Sequence, residues 1–192
     1  MIKIKIIAGS TRPGRFNTQP VKWLAEIAKK RTDMAVEVLD LAEINLPIYD
    51  EAIPAMFKKY DKEHTKKWST MIDEADGFVI VTPEYNHSIP GAIKNAIDFL
   101  NQEWAYKPVS FVSYGSLAGG SRAVEHLRGV AGELKMYDLR EQLMLPNYWE
   151  NLDDKGSYKF TEIQAKSANA ILDSLVFWAG VMKDARAKVE IK

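Results

Sequence analysis

The 192-residue sequence contains no cysteine. Disulfide staples, thiol catalysis and cysteine-ligated metal are therefore excluded. It has no excess of either charge, with Lys plus Arg at 26 and Asp plus Glu at 26. Without a net basic field, nothing draws the chain as a whole toward nucleic acid or an anionic membrane. Histidines number only three, and His64 has no partner at metal-ligand spacing, so no metal site is expected. The apolar runs are too short to span a bilayer. The N-terminus, MIKIKIIAGS, alternates Lys with Ile and lacks the apolar core of a signal peptide, so a cytoplasmic location is expected. There is no internal repeat, low-complexity tract or linker. The length suits one domain, residues 1–192, able to bury a core without staples.

What is present is organised around residues 77–100, GFVIVTPEYNHSIPGAIKNAIDFL. Residues 78–81 are apolar and β-rich, as in a fully buried strand. Residues 82–90 are polar and aromatic with a proline near each end, which predicts a loop. Ile93, Ala96, Ile97 and Leu100 recur at helical spacing. Strand, loop and helix form the repeating unit of a parallel α/β sheet, where ligands bind beyond the carboxyl ends of the strands.

The same unit recurs along the chain. Residues 3–8 form a first strand, and Val21, Leu24, Ile27 and Ala28 mark the helix after it, with Asn17 or Thr18 as N-cap. Residues 36–41 form the second strand, and Trp68, Met71, Ile72 and Ala75 mark another helix. Residues 46–60 read as an irregular connection whose Phe57 and Tyr60 anchor it to the core. Residues 107–113 and 136–144 complete five strands, and residues 157–187 form a long terminal helix with Ile163, Ile171, Leu175, Trp178, Ala179 and Met182 on its apolar side. The pattern predicts a doubly wound α/β domain with about five helices on the two faces of a parallel sheet.

Three strand-exit loops then converge on one sheet edge. The first, GSTRPGRFN at 9–17, fits neither a Walker A nor a GxGxxG pattern. It suits a single phosphate monoester, held by Ser10, Thr11, Arg12 and free amides at a helix N-terminus. The other reading is a surface turn with two solvated arginines, and the loop alone does not choose between them. The second loop carries Pro83, Glu84, Tyr85 and Asn86. The third, YGSLAGG at 114–120, lets backbone approach a ligand closely because glycine has no Cβ. Phosphate chemistry beside an aromatic and amide-lined shelf suits a phosphorylated planar ring, with flavin mononucleotide (FMN) the candidate. A flavodoxin-like sheet of order 2-1-3-4-5 places that cofactor at the switch between strands 1 and 3.

The segments GSTRPGRFN, TPEYNHSIPGAIKNAIDFL and YGSLAGGSRAVEHLR resemble the three signature segments of the NADPH-dependent FMN reductase family. The middle segment is the most specific, and the likeness runs from Ile2 to about Met144. One departure is Phe99, where many members carry Trp. The resemblance implies a flavodoxin-like fold, bound FMN, and a homodimer or homotetramer. It implies electron transfer from NADPH or NADH to a small-molecule acceptor: a quinone, an azo dye, free flavin or a metal oxyanion. Ser10, Arg12, Arg15, Phe16 and Asn17 would surround the FMN phosphate and ribityl chain. Pro83, Glu84, Tyr85 and Asn86 would line the ring, and Ser113, Gly115, Ser116 and Gly120 would form its other rim.

On this reading the flavin carries the chemistry in a ping-pong hydride cycle and no protein nucleophile is needed. Glu84 is read as shaping the loop, with a general-base role as the alternative that the sequence leaves open. His87 is read as capping its loop and His126 as structural. Arg122 and Lys94 are placed near a 2′-phosphate only by position, so NADPH and NADH are not distinguished. One of the aromatic clusters, 104–106 or 148–149, would build an interface between copies. Two other classes compete. A flavodoxin-type electron carrier would tend to be strongly acidic, unlike this balanced chain. A module that senses NAD(P)H or redox state without turnover stays open.

Overall fold

The structure is a computed structural model and describes residues 1–188; the last four residues of the expected domain lie outside the described residues. Strands β1 (Ile2–Ala8), β2 (Met34–Asp40), β3 (Gly77–Pro83), β4 (Pro108–Gly115) and β5 (Tyr137–Pro146) form one sheet. Among the described residues its order is β2-β1-β3-β4-β5, with every neighbouring pair parallel. This is the flavodoxin-like arrangement expected from the sequence. Both faces of the central strand β3 are buried, which is why it reads as an unbroken apolar run. Val79 and Val81 pack on one side with helices α1 (Thr18–Lys29) and α6 (Glu162–Arg186). Phe78 and Ile80 pack on the other with α3 (Glu63–Asp73), α4 (Gly91–Asp98) and α5 (Ser121–Glu133). The two-residue period of a strand thus divides a single run between two cores.

The order 2-1-3 places the exits of β1 and β3 side by side. They touch at Gly9, whose N–H donates to the Val81 carbonyl at 2.9 Å. A Cβ at Gly9 would sit 3.0 Å from that oxygen, so any larger residue would push the first exit loop away from β3 by a few tenths of an ångström.

The structure departs from the sequence reading in several places. A one-turn helix, α2 (Leu41–Ile44), follows β2, capped by the Asp40 carboxylate accepting the Ala42 N–H at 3.0 Å. It is too short to show a period. Within the 46–60 connection, Tyr60 does anchor to the core through the buried carboxylate of Glu103. Phe57 does not; it is 57% exposed at a 3₁₀ turn, Ala55–Phe57. Helix α6 begins at Glu162 rather than near 157. Thr161 and Gln164 form a capping box there, and residues before them are held extended by a bridge between Leu152 and Tyr158. Ile163 sits in the exposed first turn, ahead of the buried stripe that starts at Ala168. Trp104 is buried against Phe78 and Trp68, so its cluster belongs to the core and not to an interface.

The opposite, amino edge of the sheet is closed by charge. Asp76 is buried and accepts from the Lys3 N–H, Lys183 Nζ and Arg186 Nη2 at 2.9–3.0 Å, pinning the end of α6 beneath β1 and β3. Beside it, buried Lys107 donates to the last carbonyls of α3, Ile72 at 2.8 Å and Asp73 at 2.9 Å. No helix among the described residues is long and apolar enough to cross a membrane.

Candidate functional site

The carboxyl edge of the sheet carries the chemistry. Residues 10–17 run from β1 into α1. Among the described residues, the amides of Ser10, Thr11, Phe16 and Asn17 have no intramolecular acceptor. Asn17 precedes α1 but its side chain does not cap the helix. Its Nδ2 instead donates to the Val81 carbonyl at 2.9 Å, tying the loop to β3, and its buried Oδ1 has no partner. The two arginines divide. Arg15 Nη2 bonds Asp40 Oδ2 at 2.6 Å at the β2 exit, while its buried Nε has no partner. Arg12 is exposed and has no acidic partner among the described residues. Loop 10–17 therefore offers free amides and one free guanidinium, a donor set suited to a phosphate monoester.

The β3 exit is a tight hairpin. Tyr85 and Ser88 exchange both backbone hydrogen bonds, at 2.9 and 3.0 Å. Asn86 and His87 between them have φ of 48° and 73°, the signature of a type I′ turn. This presents Tyr85, 37% exposed, toward the first loop, where its hydroxyl lies 3.0 Å from Ser10 Oγ. Asn86 and His87 are solvent-facing at the tip. His126, expected to be structural, is exposed on α5 and its Nδ1 lies 2.8 Å from Ser88 Oγ.

Glu84 ties the second loop to the third. Its N–H donates to the Tyr114 carbonyl at 3.1 Å. Its carboxylate accepts the Arg122 N–H at 3.2 Å and Arg122 Nε at 2.6 Å. The Glu84 side chain is only 7% exposed. It is therefore a neutralised bracket at the start of α5, where an anion also suits the helix dipole. Arg122, considered for a 2′-phosphate, is occupied by the same pair. The third loop is folded under itself by Ser113 Oγ donating to the Gly119 carbonyl at 2.8 Å. Gly120, with φ of 83°, lies so close that a Cβ would be 2.8 Å from that of Ser113.

Arg12, Pro83, Glu84, Tyr85, Gly115 and Ser116 come together around one pocket of about 240 Å³, with Ser10 buried at its edge. Arg15, Phe16, Asn17, Asn86, Ser113 and Gly120 lie behind or beside that wall. Phe16 is buried in an aromatic cluster with Tyr114 and Tyr158 and stacks on Tyr148 at 4.1 Å. Sequence reasoning missed Tyr114, Tyr148 and Trp149 as parts of the wall. The available signal was position, because Tyr148 and Trp149 follow a parallel strand just as the other loops do. Burial pushes the Tyr114 hydroxyl's pKa far up, so it stays protonated. With Glu84 and Arg15 both paired, the unbalanced charge at the site is the single positive one on Arg12.

A larger cavity of about 480 Å³ opens elsewhere, between Thr11, Leu41, Asn45, Ile48 and Gly91. Its best polar group, the Asn95 carboxamide, is consumed by the Tyr49 N–H and the Pro47 carbonyl. The smaller pocket is the better candidate, because three strand exits and an unpaired cation converge there; of the residues with free amides, Thr11 lines the larger cavity instead. No group of three or more His, Asp or Glu side chains able to hold a metal occurs among the described residues.

A doubly wound sheet with a phosphate-suited first loop and an aromatic pocket at its carboxyl edge defines a nucleotide-type cofactor binder of flavodoxin-like fold. The sequence profile described as NADPH-dependent FMN reductase matches residues 2–150, and the chain belongs to that family. It is 44% identical over 129 residues to the NAD(P)H-dependent FMN reductase ntnL of Nectria sp, a match spanning 64% of each chain. It is 30% identical over 184 residues to the 2-hydroxy-1,4-benzoquinone reductase of Burkholderia sp, spanning 92% of this chain and 96% of that one. Among solved structures, the flavoenzyme NAD(P)H:(acceptor) oxidoreductase FerB of Paracoccus denitrificans superposes with a TM-score of 0.74 at 24% identity. It covers 95% of this chain and 99% of its own, a likeness that shows the fold.

Proposed function

We propose that this chain is an FMN-dependent oxidoreductase that takes electrons from NADPH or NADH and passes two at a time, by a ping-pong scheme, to a small-molecule acceptor. Quinones, azo compounds, free flavin and metal oxyanions are the acceptor classes. The observation that carries the reading is the combination of loop 10–17, rich in unsatisfied amides, with an aromatic pocket one strand away. The relatives' names, FMN reductase and 2-hydroxy-1,4-benzoquinone reductase, support the same cofactor and acceptor chemistry.

The residues fit FMN. Loop 10–17 and Arg12 would hold the phosphate, and the unpartnered Asn17 Oδ1 would offer an acceptor to a ribityl hydroxyl. Pro83, Tyr85, Gly115 and Ser116 would hold the ring. When bound, the flavin supplies the hydride-accepting and electron-donating chemistry. The protein's part is to hold, orient and shield. Glu84 is bracketed by Arg122 and is not free to act as a general base, so its work is to fix the second loop against the third. Tyr85 and Ser10 join the second loop to the first, which would keep the ring-holding and phosphate-holding residues at a fixed spacing.

The chain is further proposed to act as a homodimer or homotetramer. Ile48, Met56 and Phe57, all exposed on the 46–60 connection, are the apolar surface that a second copy would cover.

The test is direct. Purified protein should be yellow or take up added FMN, release FMN on denaturation, and oxidise NADPH or NADH steadily with a benzoquinone. A colourless protein that fails to bind FMN overturns the cofactor reading. Bound FMN without turnover leaves a carrier or sensor instead.

A further inference from the structure

A fourth strand exit reaches the pocket. After β5 the chain turns at Asn147, whose φ of 40° is left-handed, into a 3₁₀ turn at Tyr148–Asn151. This segment is tied to the third loop by the Asn147 N–H donating to the Ser116 carbonyl at 3.2 Å. It also packs against the β4 exit without a gap, because a Cβ at Gly119 would lie 3.1 Å from Pro146 N. Tyr148 is fixed from below by its stack on Phe16 and an edge contact with Tyr114 at 5.5 Å. Trp149 stands edge-on to Tyr148, with ring centroids 5.4 Å apart.

Trp149 is the odd member of this set. The rings of the cluster it joins, Tyr148, Tyr114 and Phe16, are buried or partly buried, yet its own ring is 49% exposed while forming part of the pocket wall. Its backbone is held at both ends, so the exposed ring is placed rather than loose. A large apolar ring left half open on a concave wall is a surface that a planar ligand covers. Tyr85 is likewise part-exposed on the same wall. Arg12, the other pocket residue with an uncommitted group, serves charge rather than a ring.

We infer that Trp149, supported by Tyr148, is a cofactor-ring contact: the fourth exit loop forms a wall of the isoalloxazine pocket. This rests on the FMN reading above and extends it to residues outside the three signature segments. It gives the two ends of the site separate owners. The first loop would grip the phosphate, and the fourth loop would join the second and third in gripping the ring.

The experiment is equilibrium binding of FMN, riboflavin and lumiflavin to cofactor-free protein, read by flavin fluorescence, for the wild type, Trp149→Ala, Trp149→Phe and Arg12→Ala. Trp149→Ala should weaken all three flavins by a similar factor, about tenfold, because all three share the ring. Trp149→Phe should restore most of the loss. Arg12→Ala should weaken FMN alone and leave riboflavin and lumiflavin unchanged. Unchanged flavin affinity in Trp149→Ala overturns the inference while the FMN reading stands. A shift in sedimentation with unchanged flavin affinity also overturns it and assigns Trp149 to contact between copies. A wild-type chain that binds none of the three flavins overturns the FMN reading itself, and the inference with it.

Discussion

The carboxylate of Glu84 and the backbone N–H of Arg122 meet at 3.2 Å, and the Arg122 guanidinium closes on the same carboxylate. The first turn of α5 is thereby fixed by a side chain from the neighbouring strand exit. Glu84→Ala should lower stability by about 1–2 kcal/mol, the cost of leaving charged and backbone donors without their acceptor. It should weaken flavin binding several-fold. Glu84→Gln, which keeps an acceptor for the Arg122 N–H, should recover much of both. A Glu84→Gln variant with normal flavin affinity but turnover abolished across the pH range would instead assign Glu84 a proton-transfer role.

The turn at Asn86 and His87 predicts an unusual tolerance. Both residues hold positive φ, which glycine adopts freely and β-branched residues resist. His87→Gly should be neutral or stabilising by about 0.5–1 kcal/mol, whereas His87→Val should cost roughly 1–2 kcal/mol. Urea midpoints of the two variants check the ordering, and equal midpoints would show that the turn relaxes to another type.

Lys107 gives a pH signature. Burial lowers its pKa to about 8 from the ordinary 10.5. The folded value lies below the unfolded one, so between those pH values the unfolded chain holds the extra proton. Stability therefore rises with pH across that window, and the cost of burying the charge is present in full below about pH 8. The neutral amine still has two N–H donors for the Ile72 and Asp73 carbonyls. Subtracting the Lys107→Met stability curve from the wild-type curve should isolate a rise on the order of 3 kcal/mol between pH 8 and 10.5. A flat difference would mean that water reaches the ammonium.

Asp76 is the acceptor on which two strands and the end of α6 depend. Asp76→Ala leaves the Lys183 and Arg186 cations without their counter-charge. The expected loss is about 3 kcal/mol. It should appear first as faster amide exchange in the last turns of α6, with flavin binding nearly unchanged because the site lies at the other edge of the sheet. Equal loss of flavin affinity would contradict that separation.

Much of the fold was legible because buried parallel strands such as residues 78–81 write themselves as unbroken apolar runs, and helices such as α5 as periodic stripes. The first three exit loops were legible for a related reason: glycine, proline and serine cluster where regular structure stops. Partnership was not. Nothing in the order of residues says that Arg15 turns to Asp40 while Arg12 stays free, or that Glu84 is claimed by Arg122, because these are choices between side chains made by packing. Phe57 and Ile163 were misplaced for the opposite reason. An apolar residue reads as buried wherever it falls, and only the surrounding geometry leaves it in solvent. Trp149 reads from the sequence as an aromatic in a loop, a candidate for contact between copies, and only the fold brings it to the pocket wall.

The stack of Phe16 on Tyr148 has a consequence for how the site comes into being. One ring belongs to the first exit loop and the other to the last, and four of the five strands lie between them in the chain. No early fragment of the polypeptide, however well its first strand and helix form, possesses both halves. The cradle closes only when β5 docks, so it is late in any order of assembly. A bound flavin would consequently act as a latch on the finished sheet rather than as a seed for it, and its loss should lower the stability of the fold from end to end.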